Sequence, residues 1–528
     1  MTSLLPPTQL ILLETATTAI LVLSALFLAY QFYRVFVYPY YVSPLRHLPG
    51  PKDHHFFLGQ TIHQFTSGHP EEPFRTWMRK MPEVPLIRHF GFANSDAVLI
   101  NCLQGYKEVL QTKCYSFVRT TAFRRLIQDI IGVGLVFAEG EEHRKQRRAL
   151  GGNIGLFIVS NVKSYVPMFK EKAVCLAREF EKAVAQNGGL IEVKDAYTRV
   201  TLDVIGIFAL GKELKNLETP TEFVDCYQTV FDPPRSGLIL AAVNMIFPIR
   251  WLPFPKANRE FVRANARLRE IVSDLTTERI DEVLAGKKGS YVEKYNAPDK
   301  DLLTYMIETK YLAAKDRWSK EDLVEQVMNF IATGHETTAS ALTWATYALG
   351  MHRDITRKLR AEALELLKRN PNPPFSDIES LPYLNNFVRE SLRIYCPVNG
   401  IPRLAIQDVV IAGQLIPKGT TVIPMPSVIS FNPLIWGPDA ESFNTDRWDR
   451  LSGPTADPYA WVAFGYGPRA CIGKALALLN FKTIVIELVT RFEFDAVNKG
   501  KVEVVNPAGQ LRPAGGMWIK VTKVVEEE

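Results

Sequence analysis

Phe464-Gly465-Tyr466-Gly467-Pro468-Arg469-Ala470-Cys471-Ile472-Gly473 is the most informative stretch of this chain. Gly465 and Gly467 admit backbone conformations closed to other residues, so the chain can loop tightly around one sulfur. The run Gly473 to Leu479 that follows is strongly helical and puts Cys471 near a helix N-terminus. Free N–H groups and the helix dipole there favour a thiolate. A lone thiolate cannot complete a tetrahedral zinc site, but it can be the single protein ligand of a haem iron. Arg469, two residues before the cysteine, can pair with a haem propionate. A buried cysteine in a glycine-rich turn is the alternative, and it leaves the F-G-x-G-x-R-x-C-x-G spacing unexplained.

Outward from the loop, the composition is that of a globular protein. The 528 residues are 47% apolar and 22% charged, with 34 Pro and 32 Gly. These values exclude a disordered, collagen-like or multi-span membrane chain. The net charge of +6 is too small for this length to imply a nucleic-acid partner. The 6 cysteines lie far apart with no C-x-x-C pair, which excludes a disulfide scaffold or zinc finger and fits a reducing compartment.

Thr15 to Tyr33 is a run of 19 residues without charge. As a helix it reaches about 28 Å, close to the ~30 Å hydrocarbon core. No Lys or Arg precedes it, and bulky Tyr30-Gln31-Phe32-Tyr33 stands where a cleavage site needs small residues. Tyr33, Phe36, Tyr38, Tyr40 and Tyr41 form an aromatic belt, and positive charge follows only at Arg34, Arg46 and Lys52. The positive-inside rule then puts the N-terminus across the membrane and the body in the cytosol. Pro44, Pro49, Gly50 and Pro51 predict a stiff, non-helical neck. The expected organisation is an anchor over 1–36 with its spanning helix at about 15–33, a proline-rich neck over 37–51 and one body over 52–528.

Within the body, apolar residues at helical spacing predict helices over 161–186, 258–285, 319–350 and 354–369. Shorter strand signals lie at Val98–Ile100, Val409–Ile411, Thr420–Ile423 and Met517–Val521, with a hairpin expected over 409–423. Loops rich in Pro, Asn and Asp fill 371–383 and 431–458. The uncharged run 236–249, followed by Trp251, Pro253, Phe254 and Pro255, is too short to span a bilayer. It is either a buried core helix or a surface element dipping into the membrane, with Arg250, Trp251 and Lys256 at the headgroups.

With the full loop spacing, the chain resembles the haem-thiolate monooxygenases of the cytochrome P-450 superfamily, and among them the membrane-bound fungal microsomal members. The resemblance implies a mainly α fold with a minor β sheet, one large domain behind the N-terminal transmembrane helix. It implies haem b bound through Cys471 as axial ligand of the iron, with Phe464 and Arg469 beside it. O₂ and NADPH would be co-substrates, the electrons arriving through a separate flavoprotein reductase. The location implied is the endoplasmic reticulum membrane, single-pass, with the catalytic domain cytosolic. One oxygen atom would enter a lipophilic substrate, a terpenoid or polyketide of secondary metabolism, with a fatty acid as second choice.

Thr333-Gly334-His335-Glu336-Thr337-Thr338 lies within the predicted helix 319–350. Gly334 weakens the helix, and the Thr337 hydroxyl can bond back to the Thr333 carbonyl, predicting a local opening of the helical ladder. In the family this groove lies over the iron, and an acid beside an alcohol can relay protons there. The resemblance assigns Thr337 as the oxygen-side hydroxyl and Glu336 as the solvent-linked acid. His335-Glu336 also begins an H-E-x-x-H zinc pattern, which fails because position 339 is Ala339. Thr333 stands where the family usually has Ala or Gly, so a branched side chain is expected to narrow the pocket.

Glu390 and Arg393, three apart, share one helical face and can pair. With Arg447 they match the family's structural set. His143 and Arg147, four apart in Gly140–Arg148, resemble its propionate-binding helix, with His143 in place of the common Trp. Arg403, ten residues past Arg393, is a further propionate candidate. Arg144, Lys145 and Arg148 read as a solvated basic face that, with Lys474, would attract an acidic reductase. Two other classes remain open: a haem-thiolate isomerase or dehydratase working without O₂, and a non-catalytic haem-bound lipid carrier. Neither needs the Glu336–Thr337 relay.

Overall fold

Ser319 opens the helix around which the body packs. Its hydroxyl accepts from the Asp322 N–H at 3.1 Å, while Asp322 Oδ2 accepts from the Ser319 N–H at 2.8 Å. This capping box satisfies two donors left free by the first turn. The helix runs Lys320–Met351 and ends at His352, whose φ of −124° and ψ of 78° are non-helical. Nearly every residue from Leu323 to Gly350 is buried, polar ones such as Asn329, His335 and Glu336 included, so this is a core helix covered on all sides. Helix Val193–Leu210 packs against it at Gly334, where a Cβ would sit 2.6 Å from Ile205 Cδ1. The glycine that weakens the helix is thus also a point of close helix contact.

This computed structural model describes residues 7–524 apart from 152–155, 220, 288–299, 316, 399, 401, 499, 501 and 506–509, with the backbone alone for 7–14 and 65. The other expected helices are present as Val166–Gln186, Lys256–Leu284 and Arg353–Arg369. Val166–Gln186 starts later than its apolar pattern because Pro167 occupies its first turn, a position where proline costs nothing.

The largest sheet has five strands in the order Leu86–Phe90, Asp96–Ile100, Thr421–Ile423, Arg403–Ala405 and Phe117–Arg119. The 409–423 hairpin expected from the sequence is divided. Val409–Ile411 pairs instead with Gln414–Ile416, across Ala412 and Gly413, both at positive φ, the geometry that matches strand twist in a two-residue turn. Thr421–Ile423 lies parallel to Asp96–Ile100 in the large sheet. The C-terminal strand Trp518–Lys523 pairs with Phe492–Ala496 and Leu190–Glu192.

At the N-terminus, helix Pro7–Phe32 passes without a break into a wider π-helical stretch, Tyr33–Val42. One apolar span, Thr15–Val42, has a mean hydropathy of 1.8 and is long enough to cross a membrane. The neck expected to be non-helical is therefore helical as far as Val42 and again, as a 3₁₀ turn, over Pro44–His47. Pro39 lies inside the π-helical stretch, and Asn94 Nδ2 donates to the Val35 carbonyl at 3.1 Å. Arg88, paired with Asp96, donates to the Pro39 carbonyl at 2.6 Å. These contacts dock the helix end on the body.

The 236–249 run forms helix Arg235–Ile246 on the surface, not in the core. Gly237 and Asn244 are its buried residues, whereas Ile239, Phe247, Trp251 and Phe254 are about 60% exposed or more. Asn244 Nδ2 donates to the Arg125 carbonyl at 2.9 Å and Arg125 donates to the Ile246 carbonyl, tying this helix to Thr121–Ile131. Arg250, expected at the headgroups, instead folds inward, 3.7 Å above the Phe261 ring and bonded to Asn258.

Candidate functional site

The Cys471 N–H donates to the Phe464 carbonyl at 2.8 Å and closes the loop around the sulfur. Gly465 at φ 65° and Gly467 at φ 69° are left-handed, as a turn this tight requires. Gly467 is also a close approach, since a Cβ there would lie 2.4 Å from the Leu110 carbonyl oxygen. Helix Lys474–Arg491 follows with Gly473 at its N-cap. Cys471 is exposed on the side that faces a cavity of about 360 Å³ and is surrounded by protein on its others. Burial pushes its thiol above the ordinary value, against the Gly473 N–H, Arg147 and Lys474. Those three groups favour the thiolate, as a metal cation bound at the sulfur would.

Three kinds of group line this cavity besides Cys471 and Phe464. Apolar walls come from Phe123, Ile127, Ile131, Phe157, Ile205 and Phe330. Thr333, Gly334 and Thr337 come from the long helix. The third part is an edge of four cations, Arg119, Arg147, Arg403 and Arg469, with His143 among them.

Arg119 and Arg403 face one another directly across antiparallel strands. Both are nearly buried, 8% and 7% exposed, and like charges so placed destabilise a strand pair. Burial first, then the Arg469 guanidinium, pushes Arg403 down to about 10. Burial and Arg403 hold Arg119 well below its ordinary value. Glu139 is the carboxylate they share: Arg469 donates to it, and it stands 3.9 Å from Arg119 and 3.5 Å from Arg124. Nε and Nη1 of Arg119, Nη1 of Arg403 and Nε of Arg469 are buried without a hydrogen-bond partner among the described residues. Each such orphan costs about 1–3 kcal/mol. A haem fits this wall, because it brings an iron for Cys471 and two carboxylates for the arginines.

On the long helix, Thr337 Oγ1 donates to the Thr333 carbonyl at 2.8 Å, the expected back-bond. Thr333 Oγ1 donates to the Asn329 carbonyl at 2.7 Å. The helix nevertheless runs uninterrupted through 333–338, so the expected opening of the ladder is not present. The hydroxyls add bonds to carbonyls without displacing the backbone donors. Glu336 does not line the cavity with Thr337. It is 2% exposed, paired with Arg512, and lies 3.6 Å from His335 Nε2. Its carboxylate borders a separate cleft of about 80 Å³ shared with Tyr227, Lys194, Asp195 and Asp232.

The family model for cytochrome P-450 matches residues 49–519. This chain belongs to the cytochrome P-450 family. It is 29% identical to cytochrome P-450 monooxygenase sphH of Aspergillus fumigatus, over 96% of this chain and 94% of that one. It is 27% identical to cytochrome P-450 monooxygenase ptmK of Penicillium ochrochloron, over 96% and 98% of the two chains. The solved haem domain of cytochrome P-450DA has the same fold, with a TM-score of 0.75 at 22% identity over 90% of this chain and 98% of that one. The protein is accordingly a haem-thiolate monooxygenase.

In the scaffold of this P-450 Glu390 and Arg393 pair as their spacing predicts, and Arg447, which the resemblance adds, joins them. Arg393 is fully buried and donates twice to Glu390, each bond 2.8 Å. Arg447 Nε, Trp448 Nε1 and the Asn444 N–H also donate to the Glu390 carboxylate, at 3.1, 3.0 and 2.8 Å. Arg393 further donates to the Ser430 carbonyl at 2.6 Å. Three residues at the site escaped the sequence reading. Arg119 is brought to the cavity only by its pairing with Arg403. Arg512 reaches Glu336 from the C-terminal strands, and Tyr115 meets His143 from a short turn.

Proposed function

We propose that residues 1–36 anchor this P-450 in the endoplasmic reticulum membrane, with body 52–528 in the cytosol. It would insert one atom of O₂ into a lipophilic substrate, taking electrons from NADPH through a separate flavoprotein reductase. The observation that carries this reading is Cys471 on a largely apolar cavity that also holds Thr337 and an arginine-rich edge with unpartnered N–H groups. When bound, the haem supplies an iron whose thiolate ligand favours O–O cleavage.

The chain's own residues do the rest. Arg119, His143, Arg147, Arg403 and Arg469 hold the propionates, and the apolar wall takes the substrate and excludes water. Thr337 donates its proton to the Thr333 carbonyl, so its oxygen accepts from a water in the cavity. Arg512 occupies Glu336 Oε1 and His335 Nε2 stands 3.6 Å from Oε2, so a proton would reach this carboxylate by way of the small cleft it borders. The exposed apolar face of Arg235–Ile246, continued by Phe247, Trp251 and Phe254, would lie in the same membrane as the anchor. A lipid-dissolved substrate would then enter past helix Thr121–Ile131. Likeness to fungal microsomal members supports a terpenoid or polyketide substrate over a fatty acid.

Reconstitution with NADPH and reductase tests this reading, with a lipophilic library screened by spin-state shift. Oxygen uptake that needs NADPH, reductase and substrate together is expected. Peroxide rearrangement without O₂ would make the protein an isomerase, and haem binding with neither would leave a carrier.

A further inference from the structure

His143 stands where the family usually has a tryptophan, and the two differ in one chemical respect. An indole N–H can only donate, whereas a neutral imidazole donates from whichever nitrogen carries the proton. Which nitrogen that is must be set by the surroundings. His143 is 3% exposed and lines the cavity. Burial, then Arg469, Arg119, Arg147 and Arg403, pushes it down to about 4, so it is neutral at ordinary pH.

Its Nδ1 lies 3.1 Å from the Tyr115 hydroxyl. Of the two partners, the phenol O–H is the stronger acid and the bare imidazole nitrogen the stronger base, so the hydrogen bond runs from Tyr115 to Nδ1. The setting reinforces that direction. The Arg144 guanidinium lies 4.0 Å above the Tyr115 ring and Arg469 lies 5.4 Å from it. Two cations against a phenol ring withdraw charge from its oxygen and make it a better donor. With Nδ1 occupied as an acceptor, the His143 proton resides on Nε2, the nitrogen left for the cavity.

We infer that Tyr115 is a positioning residue that fixes the Nε2–H tautomer of His143, making the imidazole a neutral donor to a haem propionate. The inference rests on the haem-thiolate reading, in which the cationic edge receives the propionates. With the proton on Nδ1 instead, the Nε2 lone pair would face a carboxylate oxygen and repel it. Tyr115 does for His143 what an outer partner does for a metal-bound histidine, orienting the ring and choosing the nitrogen.

The test is haem transfer from the holoprotein to excess apomyoglobin, in two backgrounds. Tyr115→Phe removes one hydroxyl and should speed haem loss about tenfold, the effect of one hydrogen bond to a charged group. In the His143→Trp background the same substitution should change the rate less than twofold, because an indole has no tautomer to set. Nitrogen-15 spectra of histidine-labelled protein should show Nε2–H at His143 in the parent and a mixture in Tyr115→Phe. Equal acceleration in both backgrounds would make Tyr115 merely structural and overturn the inference, as would no acceleration in either. An unchanged tautomer in Tyr115→Phe would overturn it too. The carbon monoxide spectrum of the parent separates these failures from failure of the haem-thiolate reading, which would appear as a missing thiolate band.

Discussion

Arg512 holds the Glu336 carboxylate in an ion pair whose two side chains are each 3% exposed. Thr337, the next residue, lines the cavity, while Glu336 borders the neighbouring cleft. Acid and alcohol are adjacent in sequence but serve different spaces. In the proposed relay a proton would therefore pass around the helix rather than across one groove.

Breaking this pair from the cationic side should be costly. Arg512→Met leaves an uncompensated buried carboxylate, and stability should fall by about 3–5 kcal/mol. Adding Glu336→Gln should restore most of that loss. Urea titration of the single and double variants measures both.

On the reaction itself, Glu336→Gln should slow turnover within the ~10²–10⁴-fold range of general acid–base groups. Thr337→Ala should keep haem bound while NADPH consumption separates from product formation. The ratio of peroxide to product reports this, and unchanged coupling in both variants would remove the relay assignment.

Much of this site was legible in the sequence wherever function lies in local spacing. The Phe464–Gly473 loop, the Thr337 back-bond and the Glu390–Arg393 pair depend on residues within ten positions of each other, and each is found as read. What failed depends on distant chain. Arg119 meets Arg403 only through strand register, and no local pattern announces a strand partner. The 409–423 hairpin was misjudged because Thr421–Ile423 pairs better in the larger sheet, beside Asp96–Ile100. Pro44, Pro49, Gly50 and Pro51 suggested a non-helical neck, yet the helix continues to Val42, its end held by Asn94 and Arg88 from the body.

Acid should destabilise the fold through buried neutral histidines. His89, 4% exposed, is pushed down to about 4 by burial. Unfolded, it binds a proton near pH ~6.5, so between these values the unfolded chain holds more protons and stability falls as pH falls. His89→Phe should therefore shrink the stability difference between pH 7 and pH 5 by roughly 2 kcal/mol. Denaturant titration at the two pH values checks it.

Membrane contact should survive loss of the anchor. Removal of residues 1–33 keeps the docked Val35 and Pro39, and the remaining body should still bind vesicles weakly. Ile239→Glu and Phe247→Glu, at exposed positions of the apolar surface element, should release it. Vesicle flotation distinguishes these outcomes.

The central claim is that Cys471 is the axial ligand of a haem, and the carbon monoxide spectrum of the reduced protein tests it most directly. The parent should show the red-shifted band of thiolate ligation. In Cys471→Ser that band should vanish while the arginine edge still retains haem. Persistence of the band in Cys471→Ser would mean that another residue binds the iron, and the account would be wrong at its centre.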